Sequence, residues 1–264
     1  MIGQQKNINR LKKLISNNKV PQFILIEGSF MYGKKYFINY ILELLDIPFQ
    51  VCSGSLDDLF NLIQEFYTNR YRRALVLYDF EDYNFRSKES ILKFCEEPVE
   101  NQYIIISCNN INRLKDTIRN RAFIIRMYPY KIKDLQNYKY INNLDYNIFN
   151  TPSKILHFEK YQNDYMYIIN NLFNNVNKPL IAILTLVDYI KHINYEIYFS
   201  ILYQLILSKL LILHKEQRIT NNVLSILNNF YLQTLEQSKY ISKEYLYTNF
   251  FIYFYEAINN YGIK

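Results

Sequence analysis

Gln22-Phe23-Ile24-Leu25-Ile26-Glu27-Gly28-Ser29-Phe30-Met31-Tyr32-Gly33-Lys34-Lys35 is the stretch that decides the fold. The apolar run Phe23 to Ile26 has the length and character of a buried strand. Gly28, four further residues, Gly33 and Lys34 follow, and a helical pattern opens at once. Strand, glycine loop, helix is the order of a phosphate-binding loop. Glycines let backbone N–H groups turn toward an anion, and the following helix adds partial positive charge at its N-terminus. Two of the chain's five glycines stand at this spacing. The residue after the lysine, where a Ser or Thr hydroxyl would hold Mg²⁺, is Lys35.

Outward from the loop, apolar runs alternate with helical patterns. Upstream, residues 4–18 carry Ile8, Leu11, Leu14 and Ile15 on one face of a helix, closed by Pro21. Downstream, residues 34–45 predict an amphipathic helix and Pro48 to Cys52 a short strand. Leu56 to Phe66 reads as a helix, Arg73 to Tyr78 as a buried strand ending at Asp79, and Ser87 to Glu97 as a helix stopped by Pro98. Tyr103 to Ser107 and Ala122 to Met127 are the last strands, with a helical turn over Leu114 to Ile118 between them. Five such runs predict an α/β domain over residues 1–130, a parallel five-stranded sheet covered on both faces. Ligands then belong at the carboxyl ends of the strands, where Gly28, Asp79 and Asn109 all fall. After Pro129 strand signals cease. Residues 131–178 predict a small domain of short helices, one opened by Pro152. Residues 179–264 predict a helical domain with helices beginning near Pro179, Tyr195, Asn221 and Ser242, the last with Ser242 as cap.

The 264 residues carry 31 basic and 24 acidic side chains, a net charge of +7. That balance is compatible with a polyanionic partner. Lys, Asn, Ile, Tyr and Phe are all encoded by A/T-rich codons, however, so the 27 tyrosines do not by themselves define a base-stacking surface. The basic residues look scattered along the chain rather than striped. Cys52, Cys95 and Cys108 are too few and too dispersed for a disulfide framework or a zinc site, and buried thiols in a reducing cytoplasm are the expected state. No secretory signal is legible. The most apolar stretch, Ile197 to Leu213, is interrupted by Gln204, Ser208 and Lys209, which predicts a buried helix rather than a membrane span.

The strand-end residues name a chemistry. Lys34 would contact phosphate, and Asp79, in Val-Leu-Tyr-Asp-Phe-Glu-Asp, stands where a carboxylate holds Mg²⁺. The water-polarising Glu commonly found next to that Asp is replaced by Phe80. Glu81 and Asp82, further on, read as a solvated loop.

Several segments together resemble the DNA polymerase III clamp-loader subunits of the AAA+ superfamily, the delta-prime form above all. Ile2-Gly3-Gln4 with Asn7 and Leu11 is similar to the family's opening segment. Ser90-Ile91-Leu92-Lys93-Phe94-Cys95-Glu96-Glu97-Pro98 resembles its Leu-Leu-Lys-x-Leu-Glu-Glu-Pro. Leu114-Lys115-Asp116-Thr117-Ile118-Arg119-Asn120-Arg121-Ala122 resembles its Leu-x-x-Thr-Ile-x-Ser-Arg-Cys. The likeness is convincing over residues 1–130 and fades beyond. The resemblance implies that Arg121 reaches a neighbouring subunit's ATP site as an arginine finger. It implies that Asn109, with Asn110 as rival, matches the residue sensing the γ-phosphate. It also implies that Lys154, in Asn-Thr-Pro-Ser-Lys, replaces the second sensor arginine. The family's zinc module has no counterpart here, and the chain's shortness suggests a compact version of the kind a phage or small replicon would carry.

Lys35 and Phe80 together point to a degenerate nucleotide site: Gly28, Gly33, Lys34, Asp79, Asn109 and Lys154 could bind ATP and Mg²⁺ without hydrolysing it. The resemblance then implies a non-hydrolysing subunit in a hetero-oligomeric clamp loader, assembled through residues 179–264. Its partners would be the other loader subunits, the sliding clamp and primed DNA, with no membrane. The alternative is an active AAA+ ATPase, a clamp-loader motor or related replication ATPase. A third reading is a DNA-binding module that uses the basic surface.

Overall fold

The computed structural model describes residues 2–52, 54–69, 71–97, 99–138, 145–194, 197–237 and 241–262, with the side chains of residues 93, 94 and 235–237 outside the description. Pro98 and Tyr195, used above as helix boundaries, lie outside the described residues. The chain forms two compact units, Met1–Ser153 and Lys154–Lys264, and the division falls within the stretch read from sequence as a small helical domain.

The first unit is built on five parallel strands: β1 (Phe23–Glu27), β2 (Phe49–Val51), β3 (Arg73–Leu77), β4 (Gln102–Cys108) and β5 (Phe123–Arg126). Their order in the sheet is β2-β3-β4-β1-β5, with Leu25 beside Ile106 on β4 and Ile124 on β5. Successive strand side chains point to opposite faces, and the core divides accordingly. Phe23, Leu25, Leu75, Leu77, Ile104 and Ile106 face one layer of helices. That layer comprises α3 (Leu56–Thr68), α4 (Phe85–Glu96) and the one-turn α5 (Asp116–Arg119). Ile24, Ile26, Ala74, Val76 and Ile105 face the other layer, made by α1 (Gln5–Ser16) and α2 (Lys34–Leu45). The three central strands are buried on both sides, which is why they read as unbroken apolar runs.

The helix α1 is fastened to the edge strand β5. Gln4 Nε2 donates to Tyr128 O (2.8 Å) and Gln4 Oε1 accepts from Tyr128 N (3.0 Å). Asn7 Nδ2 donates to Arg126 O at 2.9 Å. The opening Ile2-Gly3-Gln4 segment with Asn7 therefore closes the open edge of the sheet. A short helix α6 (Ile132–Tyr138) follows β5.

The second unit is helical: the larger part of α7 (Pro152–Asn174), then α8 (Pro179–His192), α9 (Phe199–Lys215), α10 (Asn221–Gln237) and α11 (Lys243–Tyr261). In place of several short helices, α7 runs for 23 residues, with a kink at Tyr161, whose φ is −116°. Ser242 caps α11, its side chain accepting from Tyr245 N at 3.2 Å. The core is largely aromatic: Phe199, Tyr203, Tyr231, Tyr247 and Phe250 touch one another, Tyr203 and Tyr231 face to face at 3.9 Å. The apolar stretch around α9 is buried on one face only, since Leu211 and Ile212 are exposed. Among the described residues no helix is long and apolar enough to cross a membrane.

Candidate functional site

The carboxyl ends of β1, β3 and β4 meet around one lysine. The β1 strand ends at Glu27, and the glycine loop turns back to open α2 at Lys34. The turn places Ser29 O to accept from Tyr32 N (3.2 Å), with Met31 at φ 62° and Gly33 at φ 81°. Positive φ is cheap for glycine and costly for methionine, so the loop carries strain at Met31. At Gly28 a Cβ would come within 3.2 Å of Met127 Cβ, so the loop enters close against the residue that follows β5. Tyr130, just past β5, clamps the loop from outside, its hydroxyl donating to Tyr32 O at 2.8 Å. Burial pushes its phenol up to about 12.

Lys34 is buried, 8% exposed. Its ammonium donates to Gly28 O (2.8 Å), to Ser29 O (3.3 Å) and to Asn109 Oδ1 (2.6 Å). A lysine has three N–H donors, and all three are taken by the chain itself. Burial pushes the ammonium below its ordinary value, and the carboxylates of Asp79 and Glu81 pull it back up. The Asp79 carboxylate stands 4.0 Å from the ammonium and is half-exposed.

Asn109 holds a second partner. Glu81 Oε1 accepts from both Asn109 N and Asn109 Nδ2, each at 2.7 Å. Glu81 is 7% exposed, and its Oε2 meets no donor among the described residues. The solvated-loop reading holds for exposed Asp82 and fails for Glu81. Asp79 leaves β3 in a left-handed conformation, φ 48° and ψ 48°, its N–H donating to Ser107 Oγ. Residues 80–82 then coil into one 3₁₀ turn. At three residues per turn, Phe80 drops into the sheet's core, fully buried beside Tyr83. Glu81 swings over the strand ends toward Asn109. The left-handed turn at Asp79 is what separates this arrangement from the solvated loop expected of the sequence. The signal that could have corrected that expectation is Phe80 itself, an apolar side chain followed by an acid.

The sequence-derived set is therefore brought together only in part. Gly28, Gly33, Lys34, Asp79 and Asn109 converge, with Glu81 added. Asn110 instead caps the turn that follows, its side chain accepting from Asn112 N. Lys154 opens the second unit, half-buried, with its ammonium pushed down by burial. Arg121 stands elsewhere. It directly precedes the amino end of β5, while the glycine loop lies level with that strand's carboxyl end. The four residue steps from Phe123 to Met127 span roughly 13 Å of extended chain. There Arg121 donates to Thr117 O (2.9 Å) and pairs with Glu96 Oε1 (2.9 Å), both partners on the outer helices.

The residues fit a phosphate in part and a phosphate-bound Mg²⁺ poorly. The glycines and lysine are in place, but Lys35 stands where a metal-binding hydroxyl would. Its ammonium lies over the Tyr78 ring, 4.9 Å from the centroid. Among the described residues no cluster of three or more His, Cys, Asp or Glu could hold a metal ion. The three cysteines are free, Cys52 and Cys108 buried and Cys95 half-buried, and burial pushes the Cys95 and Cys108 thiols up to about 12.

Two Thermotoga maritima RuvB mutant structures align at TM-score 0.50. The first has 16% identity over 64% of this chain and 65% of that one, and the second 13% over 64% and 63%. A RuvB structure titled as a Holliday junction branch migration motor aligns at TM-score 0.45 and 19% identity, over 52% of this chain and 49% of that one. Residues 53–131 match the family model described as DNA polymerase III, delta subunit. Over those residues the chain is similar to clamp-loader delta subunits. The match contains two of the segments that carried the resemblance, Ser90 to Pro98 and Leu114 to Ala122, and the RuvB likeness supports the fold alone. The alignments to RuvB span 49% to 65% of those chains, less than two thirds of their length. No curated protein matches the sequence.

Proposed function

We propose that this chain is a delta-prime-like clamp-loader subunit that does not itself hydrolyse ATP and completes a neighbour's ATP site with Arg121. The observation that carries the reading is where Arg121 stands. It lies at the amino end of the strands, away from its own glycine loop at their carboxyl end, and on the surface, so any phosphate it reaches belongs to another chain. Its pair with Glu96 is half-exposed, and such pairs hold by ~1 kcal/mol or less, so the guanidinium is readily released to a partner. The self-satisfied Lys34, the ammonium of Lys35 in place of a hydroxyl and the buried Phe80 support a site that has lost hydrolysis. Exposed Leu180, Ile181 and Leu184 on α8 supply an apolar face for assembly through the C-terminal helices.

The test is reconstitution with the cognate ATPase subunits, clamp and primed DNA. Replacing Arg121 by Ala should lower stimulated hydrolysis by ~10³-fold, the scale of an arginine finger, while assembly persists. Unchanged hydrolysis in an intact complex would overturn the trans-acting role.

One observation favours a second reading. Glu81, hydrogen-bonded to Asn109 with one oxygen unpartnered, could replace the missing glutamate in an active ATPase. The isolated chain discriminates: turnover lost on both Lys34→Ala and Glu81→Gln supports the motor, and no turnover in wild type supports the non-hydrolysing subunit.

A further inference from the structure

The fold gathers charges that the sequence scatters. Residues 2–26 and 117–133 contain ten of the chain's 31 basic residues and none of its 24 acidic ones. These two segments are the ones stitched together at the open edge of the sheet, through Gln4 and Asn7 to the backbone of Arg126 and Tyr128. Along α1, Lys6, Arg10 and Lys13 follow the i, i+4, i+7 spacing that aligns side chains on one helix face. All three are exposed. None takes part in an ion pair among the described residues. Lys6 lies over the Tyr128 ring (5.7 Å) and Arg10 over the Phe123 ring (4.3 Å), so two of the three are oriented along β5. Exposed Lys131 and Lys133 extend the same sign just past the strand.

We propose that this ridge, Lys6–Arg10–Lys13 on α1 beside β5, binds the phosphodiester backbone of DNA. Seven residues of helix rise about 10 Å, which faces roughly three phosphates of one strand at 3.4 Å of axis each. A bilayer surface is the poorer fit, because the apolar face of α1 is consumed internally: Ile8 and Leu11 are 3% and 1% exposed and have nothing to insert. Arg119, Arg121 and Arg126 of the second segment are paired with Asp116, Glu96 and Glu27 from outside it, so the ridge itself is carried by α1. Contact of this type fixes orientation on the strand without reading sequence. The site is separate from the glycine loop and from Arg121, and the inference does not depend on whether the chain hydrolyses ATP.

The full-length chain is titrated against a labelled duplex of arbitrary sequence, its single strand and phosphatidylserine vesicles, between about 50 and about 200 mM salt. The triple variant Lys6→Gln/Arg10→Gln/Lys13→Gln is compared with a charge-matched control, Lys178→Gln/Lys215→Gln/Arg218→Gln. For duplex, the ridge variant should lower the log–log salt slope by about 0.9 per side chain changed, and by about 0.7 for single strand. The control should keep the wild-type slope, and circular dichroism should show both variants folded. Equal losses in the two variants would reduce the effect to net charge and overturn the assignment. So would wild-type protein that fails to bind DNA, or vesicle binding as strong and as ridge-dependent as DNA binding.

Discussion

Asn109 is the residue on which the site turns. It gives its amide N–H to Glu81 and its carbonyl to Lys34, so a buried anion and a buried cation are joined through one neutral side chain. Asn109→Ala would leave Glu81 with the backbone N–H of residue 109 alone and Lys34 short of its nearest acceptor. Removing a partner from buried charged groups costs roughly 1–3 kcal/mol each. We therefore expect a loss of about 2–3 kcal/mol, read as a lower urea midpoint with an unchanged slope. Sequence pattern found this residue by its place at the end of an apolar run, and it found Lys34 and Asp79 the same way. It misplaced Glu81, because which way a side chain faces depends on the dihedrals at Asp79, and a non-glycine residue in left-handed conformation leaves no periodic trace. It also missed Tyr130, whose role arises from the fold alone: the loop it clamps lies almost a hundred residues upstream.

At the scale of elements the sequence was most readable, for identifiable reasons. The α2 helix begins at Lys34 because Gly33 takes a positive φ just before it, and it ends at Leu45 before Asp46 does the same. The central strands announce themselves because both faces are buried. The kinked α7 was broken into shorter pieces because its polar residues, Asn163 and Asp164 among them, interrupt the apolar period just past the bend at Tyr161. Local capping is testable where it stands clear of other contacts. Ser242 accepts from Tyr245 N at the head of α11, and Ser242→Ala should cost about 1 kcal/mol. Thermal melting should show a drop of a few degrees, recovered by Ser242→Asp, which keeps the acceptor and adds charge favourable to the helix N-terminus.

At the scale of the whole molecule both units bury groups that alkali would charge. The helical unit buries Tyr165, Tyr203, Tyr247 and Tyr255 at 2% exposure or less. Burial raises all four phenols, those of Tyr203 and Tyr255 to about 12. A group whose folded value lies above its unfolded one, here about 10, contributes stability that is intact below pH 10. That stability drains away as pH rises toward and through 12. The other unit holds Tyr130, Cys95 and Cys108, each raised by burial to about 12, so the melting temperature of the whole chain should fall as pH climbs past about 9 toward 12, with tyrosinate absorbance appearing on unfolding. The sheet of the other unit has a different lesson. Its glycine loop and its Arg121 lie at opposite ends of the same strands. A contact that offers one to the other between chains can be made in two ways: reciprocally across a two-fold axis, where residue i meets j and j meets i, or head to tail around a ring. In the first the two chains serve each other's loops; in the second each chain serves one neighbour and is served by another, so the loop of this chain meets an arginine only if a further subunit brings one to it.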